Sequence, residues 1–193
     1  MKLFPLTLLL SFLSFPLFAE PVVETVAGTG HPELNIQAGP TSEFNIADPF
    51  GVEFGPDGRL YVTEVGNHRI IAVDLAKGLT ETVIGTGKKG YSGDGGDPKL
   101  GTFKGPKGIV TDSKEENIYV VDTENQALRR INLVNNRLSS HAGYGPKGKG
   151  YIGDKTPAYK AKFGRPHGIC IGPDGLVYTG DTLNHRVRRV VLE

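Results

Sequence analysis

The sequence has no tryptophan, one cysteine and one methionine, and neither sign of charge dominates, with 22 Lys and Arg against 21 Asp and Glu. A single thiol cannot close a disulfide within the chain, so no internal covalent staple is available. Cys170 sits in the apolar run Ile169-Cys170-Ile171, which predicts a buried, inert side chain. Balanced charge removes the basic footprint expected of a nucleic-acid binder. The longest uncharged run, Leu3 to Phe18, carries Pro5 and Pro16, and it falls short of the ~20 apolar residues that span a bilayer as a helix. The glycines follow no three-residue period, which excludes a collagen-like chain. There is no Gly-x-Ser-x-Gly elbow, no metal-spaced histidine pair and no Cys-x-x-Cys-His motif.

What the chain has in abundance is turn residues. Gly and Pro together supply 27 and 13 of the 193 positions, well above the roughly 12% of average usage. With aromatics present and apolar residues in short runs, this composition predicts many tight turns between short strands.

Lys2, the run after it and Ala19-Glu20-Pro21 predict a secretory signal peptide over residues 1–19, cut after Ala19. A membrane anchor is the alternative that the length of the run disfavours. The expected location is exported, periplasmic or extracellular, with no membrane association after cleavage and no nucleic-acid partner. The remaining chain splits its charge: residues 20–100 hold 6 basic and 12 acidic groups, and residues 101–193 hold 15 and 9.

Laid against itself at a spacing near 58 residues, the chain repeats three landmarks in the same order. One is a strand ending in glycines: Thr25-Val26-Ala27-Gly28-Thr29-Gly30, Thr82-Val83-Ile84-Gly85-Thr86-Gly87 and Ser140-His141-Ala142-Gly143-Tyr144-Gly145. The next is Pro-x-Gly before an apolar run, at Pro49-Phe50-Gly51, Pro106-Lys107-Gly108 and Pro166-His167-Gly168. The third follows a Tyr-containing strand and centres on Asn67-His68-Arg69, Asn125-Gln126-Ala127 and Asn184-His185-Arg186. The segments between landmarks are too short and too rich in glycine for helices, and their apolar runs of four to six residues suit strands. The run after each Pro-x-Gly is mostly apolar, which predicts an innermost strand buried on both faces. Four antiparallel strands per repeat is the arithmetic of a propeller blade.

In these motifs the sequence resembles the NHL-repeat β-propeller family, named for the Asn-His-Leu type of tripeptide. The glycine-rich connectors Gly90-Tyr91-Ser92-Gly93-Asp94 and Gly150-Tyr151-Ile152-Gly153-Asp154 are similar to those of exported NHL proteins. The resemblance covers residues 22–193 and implies an all-β fold with three four-stranded blades. The repeats lie at about 49–87, 106–145 and 166–193, with a strand at 22–28 completing a blade. Gln126 and Ala127 depart from the tripeptide pattern and read as variation at the outer edge of the middle blade.

Three blades fall short of the usual four to eight. Either two chains associate head to tail as a homodimer into a six-bladed ring, or the three blades are an incomplete ring belonging to a longer chain, or an open arc stands alone.

Phe50, Lys107 and His167 precede the innermost strands, so they should cluster at the mouth of the central channel and could hold an anionic or sugar-like ligand. Glu53, whose counterparts are Val110 and Cys170, is a candidate base or metal ligand. The Asn-containing turns, with Glu64, Asp122 and Asp181 three positions before the asparagines, recur in every repeat and so read as structural. The leading expectation is a non-enzymatic binding or scaffold module for a protein or glycan, without a cofactor. The alternative that the resemblance implies, through the gluconolactonase and strictosidine-synthase-like propellers, is a hydrolase or lyase using Glu53 and His167 with a divalent metal such as calcium. The acidic loop around Asp94 and Asp97 is a poor calcium loop, and the Gly-x-Gly-x-x-Gly at Gly85 to Gly90 opens no amphipathic helix. The lysines from Lys147 to Lys162, with Arg165, form a cationic stretch that reads as a solvated loop, or as a contact for a polyanionic partner.

Overall fold

The computed structural model describes residues 20–112, 114 and 116–191; the signal-peptide expectation at 1–19 lies outside the described residues. The first sheet holds β1 (Ala38–Pro40), β2 (Pro49–Phe54), β3 (Leu60–Glu64), β4 (Arg69–Asp74) and β5 (Leu79–Ile84). The second holds β6 (Pro106–Thr111), β7 (Asn117–Asp122), β8 (Ala127–Asn132) and β9 (Arg137–Ala142), and the third holds β10 (Pro166–Ile171), β11 (Val177–Asp181) and β12 (Arg186–Val190). Strands β2–β5, β6–β9 and β10–β12 each run as an antiparallel meander, so sequence neighbours pair in space, while β1 adds to the first sheet beside β5 in the order β1-β5-β4-β3-β2. The three sheets are blades one, two and three. No helix among the described residues is long and apolar enough to cross a membrane.

Every Pro-x-Gly landmark is a bulge. The pairing register slips between Pro49 and Val52, between Pro106 and Ile109, and between Pro166 and Ile169. Proline has no N–H to give the ladder, so it is tolerated at the first position of the strand, and the residue after it is turned out of the pleat. The glycine is required for a different reason. A Cβ on Gly51 would stand 2.3 Å from the Lys107 carbonyl oxygen, and one on Gly108 would stand 2.5 Å from that of His167. The backbones of successive innermost strands therefore touch.

The core lies between blades, as the strand period of two demands. Tyr61, Ile70 and Ala72 of blade one meet Ile109, Ile118, Val120 and Ile131 of blade two. The opposite face of blade two, Tyr119, Val121 and Leu128, meets Phe163, Val177 and Val190 of blade three. On the far side of blade one, Val62, Ile71 and Val73 are covered by Phe44 and by Ala27, Ile36 and Ile46 of the N-terminal segment. Fully burying one such side chain stabilises the fold by about 1.5–3 kcal/mol.

Three expectations need correction. Residues 22–28 form no strand here; the N-terminal segment instead adds β1, which pairs with β5 as a fifth strand on blade one. The innermost strand is buried on both faces only where a blade stands on each side: Val52 and Phe54 of β2 are each 60% exposed on the open flank of blade one. Cys170 is exposed for the same reason, because its face of β10 points away from blade two.

Candidate functional site

The bulges put the residues between Pro and Gly side by side at one end of the innermost strands. Lys107 Nζ lies 2.7 Å from His167 Nε2 and 5.0 Å from the centre of the Phe50 ring. The Phe50 and His167 rings are 6.2 Å apart and tilted by 41°. Lysine can only donate, so Nε2 accepts and the ring hydrogen sits on Nδ1, which donates to Thr182 Oγ1 at 2.8 Å. Burial, reinforced by the positive charge of Arg165, pushes the Lys107 amine below its usual range. Burial and then the Lys107 charge lower His167 as well, keeping its ring neutral. Arg165 is itself held by Glu124 at 2.7 Å. A cation over an aromatic face beside a neutral imidazole can take an anionic oxygen and the apolar face of a sugar ring.

Glu53 does not join this cluster through a hydrogen bond; its Oε1 accepts the Thr111 N–H at 3.2 Å and ties β2 to β6. Among the described residues there is no group of three or more His, Cys, Asp or Glu side chains able to hold an ion. The surroundings of Glu53 therefore do not fit a divalent cation.

Sequence reasoning missed a buried electrostatic post in each blade. In blade two Asp122 accepts from the Lys104 N–H at 2.8 Å and from Asn125 Nδ2 at 2.8 Å, with Arg129 Nη1 at 3.3 Å. Burial pushes the Asp122 carboxyl up to about 6 against these donors. Arg129 is fully buried, lies over the rings of Tyr91 and Phe103, and reaches Asp94 at 2.7 Å. Asp181, Asn184, Arg188, Tyr151, Phe163 and Asp154 repeat the arrangement in blade three. Blade one builds it differently: the longer Glu64 pairs with Arg69, two residues earlier on the strand, over the Phe44 ring. The conserved spacing of acid and asparagine was visible, but the arginine changes position between repeats, which hid it.

The second residue of each tripeptide has a left-handed backbone, with φ of 52°, 55° and 52° at His68, Gln126 and His185. His68 Nδ1 accepts the N–H of Gly105, and Gln126 Oε1 accepts that of Arg165. Both acceptors satisfy the residue before the next blade's proline. Gln126 is thus a buried pin between blades, not variation at an outer edge. The acidic connector is equally occupied: Asp94 also accepts from Ser140, and Asp97 caps the turn that follows it through the Lys99 N–H.

Beside blade three runs a groove of about 840 Å³, bounded by the outer edge of β12 with Arg186, Arg188 and Arg189, and by Lys155, Ala158 and Phe163. Among the described residues no strand pairs with that edge.

Comparison with known proteins agrees with this fold. The family model described as NHL repeat matches residues 163–190, the segment from Phe163 through β12. The chain is 27% identical to NHL repeat-containing protein 2 of Bos taurus, over 86% of this chain and 24% of that protein. It is 32% identical to Protein SUPPRESSOR OF QUENCHING 1, chloroplastic, of Arabidopsis thaliana, over 60% of this chain and 11% of that protein. The chain thus spans a quarter or less of these curated relatives. Among solved structures, an auxiliary nutrient binding protein from Bacteroides thetaiotaomicron superposes with a TM-score of 0.57 at 27% identity, covering 72% of this chain and 36% of the other. One from Bacteroides ovatus gives 0.64 at 22%, covering 78% and 39%. The chain carries NHL-type repeats and folds as part of a β-propeller.

Proposed function

We propose that this chain is an exported binding module, without catalytic chemistry of its own, that recognises an acidic glycan at the channel mouth through Lys107, His167 and Phe50. The observation that carries this reading is the Lys107–His167 pair lying against the Phe50 ring. An ammonium partly withdrawn from water strengthens a charge-assisted bond to a carboxylate, while the half-exposed ring offers a stacking face. The Bacteroides neighbour at 27% identity, described as nutrient-binding, supports a binding role. Export is supported by the uncharged run before Ala19. A metal-dependent lactonase-like reaction has little support, because Glu53 is spent on a backbone N–H and, among the described residues, no cluster of His, Cys, Asp and Glu stands with it.

Calorimetric titration with oligogalacturonate and with a neutral maltooligosaccharide tests the proposal. The acidic sugar should bind and the neutral one should not. Lys107→Met should weaken binding about tenfold, on the order of 1.4 kcal/mol. Because His167 is held below its usual range, affinity for the acidic sugar should rise as pH falls past the ordinary imidazole value and a second positive charge appears. Equal binding of both sugars, or affinity unchanged by Lys107→Met and Phe50→Ala, overturns it.

A further inference from the structure

We infer that two copies of this chain close on each other, the segment Val22–Ala27 of one adding the fourth strand to blade three of the other. Four observations converge on this pairing.

The first is conformation. Gly28 and Gly30 have φ of 97° and 87°, matching Gly85 and Gly87 at 88° and 80° and Gly143 and Gly145 at 103° and 73°. The latter pairs each follow the outer strand of a blade, and Gly85 also touches Phe103 just ahead of β6. Gly28 packs on Ile46 just ahead of β2, so residues 22–27 occupy the place of an outer strand belonging to a blade before blade one.

The second is register. In blade two Ala142, Ser140, Ser139 and Leu138 pair with Leu128, Arg129, Arg130 and Ile131. Carried over by the repeat spacing, Ala27, Thr25, Glu24 and Val23 pair with Val187, Arg188, Arg189 and Val190 of the other copy. Glu24 then faces Arg189, and the acidic strand enters the groove that the arginines of β12 line. Val23, which stands fully exposed here, takes the place of fully buried Leu138.

The third is the glycine at the bulge. Gly51 and Gly108 are glycines because the next blade's backbone leaves no room for a Cβ, yet Gly168 has nothing within 4 Å. By the same pattern, the Phe50 carbonyl of the second copy fills that space. The fourth is charge. The acidic half of each chain, residues 20–100, meets the basic half, residues 101–193, of the other. The closed ring also completes the mouth, setting His167 of one copy beside Phe50 of the second, so that two Lys–His pairs line one channel. This assembly stands whether or not the mouth binds a glycan, since its readout is mass.

Light scattering on the purified chain after size exclusion should give twice the monomer mass. Val23→Asp and Gly168→Val each alter a site that is open in the single chain, so both should give folded monomers with an unchanged circular dichroism spectrum. Glu24→Arg should weaken the dimer severalfold, and adding Arg189→Glu should restore it. Labelling of Cys170 by a thiol reagent should be slow in the dimer and fast in either monomeric variant. A wild-type monomer at every concentration, an open-ended oligomer, or a dimer indifferent to both Val23→Asp and Gly168→Val overturns the inference.

Discussion

Blades two and three carry the same acid, asparagine and arginine at the same spacing, and they differ in what stands around them. In blade two the outer strand β9 and the connector through Asp94 seal the arginine completely, and its bond to Asp94 is 2.7 Å. In blade three Arg188 remains 14% exposed, Asp154 is 74% exposed, and the corresponding contact stretches to 3.4 Å. The residues of a buried ion pair are therefore not enough to make one: the fourth strand supplies the exclusion of water that makes the charges costly to separate.

The largest expected effect breaks the comparison at its centre. Arg129→Met leaves Asp122 buried without its counter-charge, and it should lower unfolding stability by about 3–5 kcal/mol. Arg188→Met should cost about half of that or less, because water already reaches the pair. Urea denaturation of the two variants measures both; equal losses would mean that blade three is as well sealed as blade two.

The next contrast uses backbone proximity. Gly108→Ala places a methyl 2.5 Å from the His167 carbonyl oxygen, forcing the innermost strands apart, whereas the Cβ of Gly168→Ala meets nothing within 4 Å. The first should cost about 2–4 kcal/mol, in the range of overpacking that the backbone cannot relieve, and the second under about 0.5 kcal/mol in the single chain. Thermal unfolding of the pair, recorded on monomeric protein, decides it.

A third effect is specific to the sealed blade. Burial, with the charge of Arg130 added, holds His141 on β9 down at about 4, and its ring lies edge-on to Tyr119 at 4.8 Å. An unfolded histidine titrates near 6.5. The folded value is depressed, so the stabilisation is fully present above pH 6.5 and is lost as pH falls from there to about 4, by roughly 2–3 kcal/mol. His141→Gln should flatten that part of the stability profile. A decline over the same window that persists in the variant would assign it to another group.

The repeats, the short strands and the glycine-rich turns between them were legible in the sequence because each is set by local chemistry: a proline without an N–H, a glycine in a tight turn, an apolar run of strand length. So was the meeting of Phe50, Lys107 and His167, since equal phase in three repeats places them on one rim. What was not legible depends on neighbours. Cys170 and Val52 look like core residues, and they are exposed only because the flank beside each carries no blade. The arginine post was hidden because Arg69 and Arg129 reach the same place from positions two residues apart, a shift that the longer Glu64 absorbs. That a lysine would donate to a histidine could not be read from spacing at all.

The smallest effect concerns the pin between blades. His68 and Gln126 hold equivalent left-handed turns and accept equivalent N–H groups, those of Gly105 and Arg165, one through a ring nitrogen and the other through an amide oxygen. Burial holds the His68 ring below its usual range, as an acceptor nitrogen must be. Gln126→His should therefore change stability by less than about 0.5 kcal/mol at pH 8, where a neutral imidazole can replace the amide. It should also add a pH dependence that the natural glutamine does not have. A protonated ring cannot accept the Arg165 N–H, and it brings a positive charge beside Arg165, so the variant should weaken relative to the parent as pH falls below about 6.5. A variant that loses stability equally at pH 8 and pH 5.5 would show that the amide group of Gln126, which also donates to the Glu124 carbonyl, matters more than its acceptor oxygen.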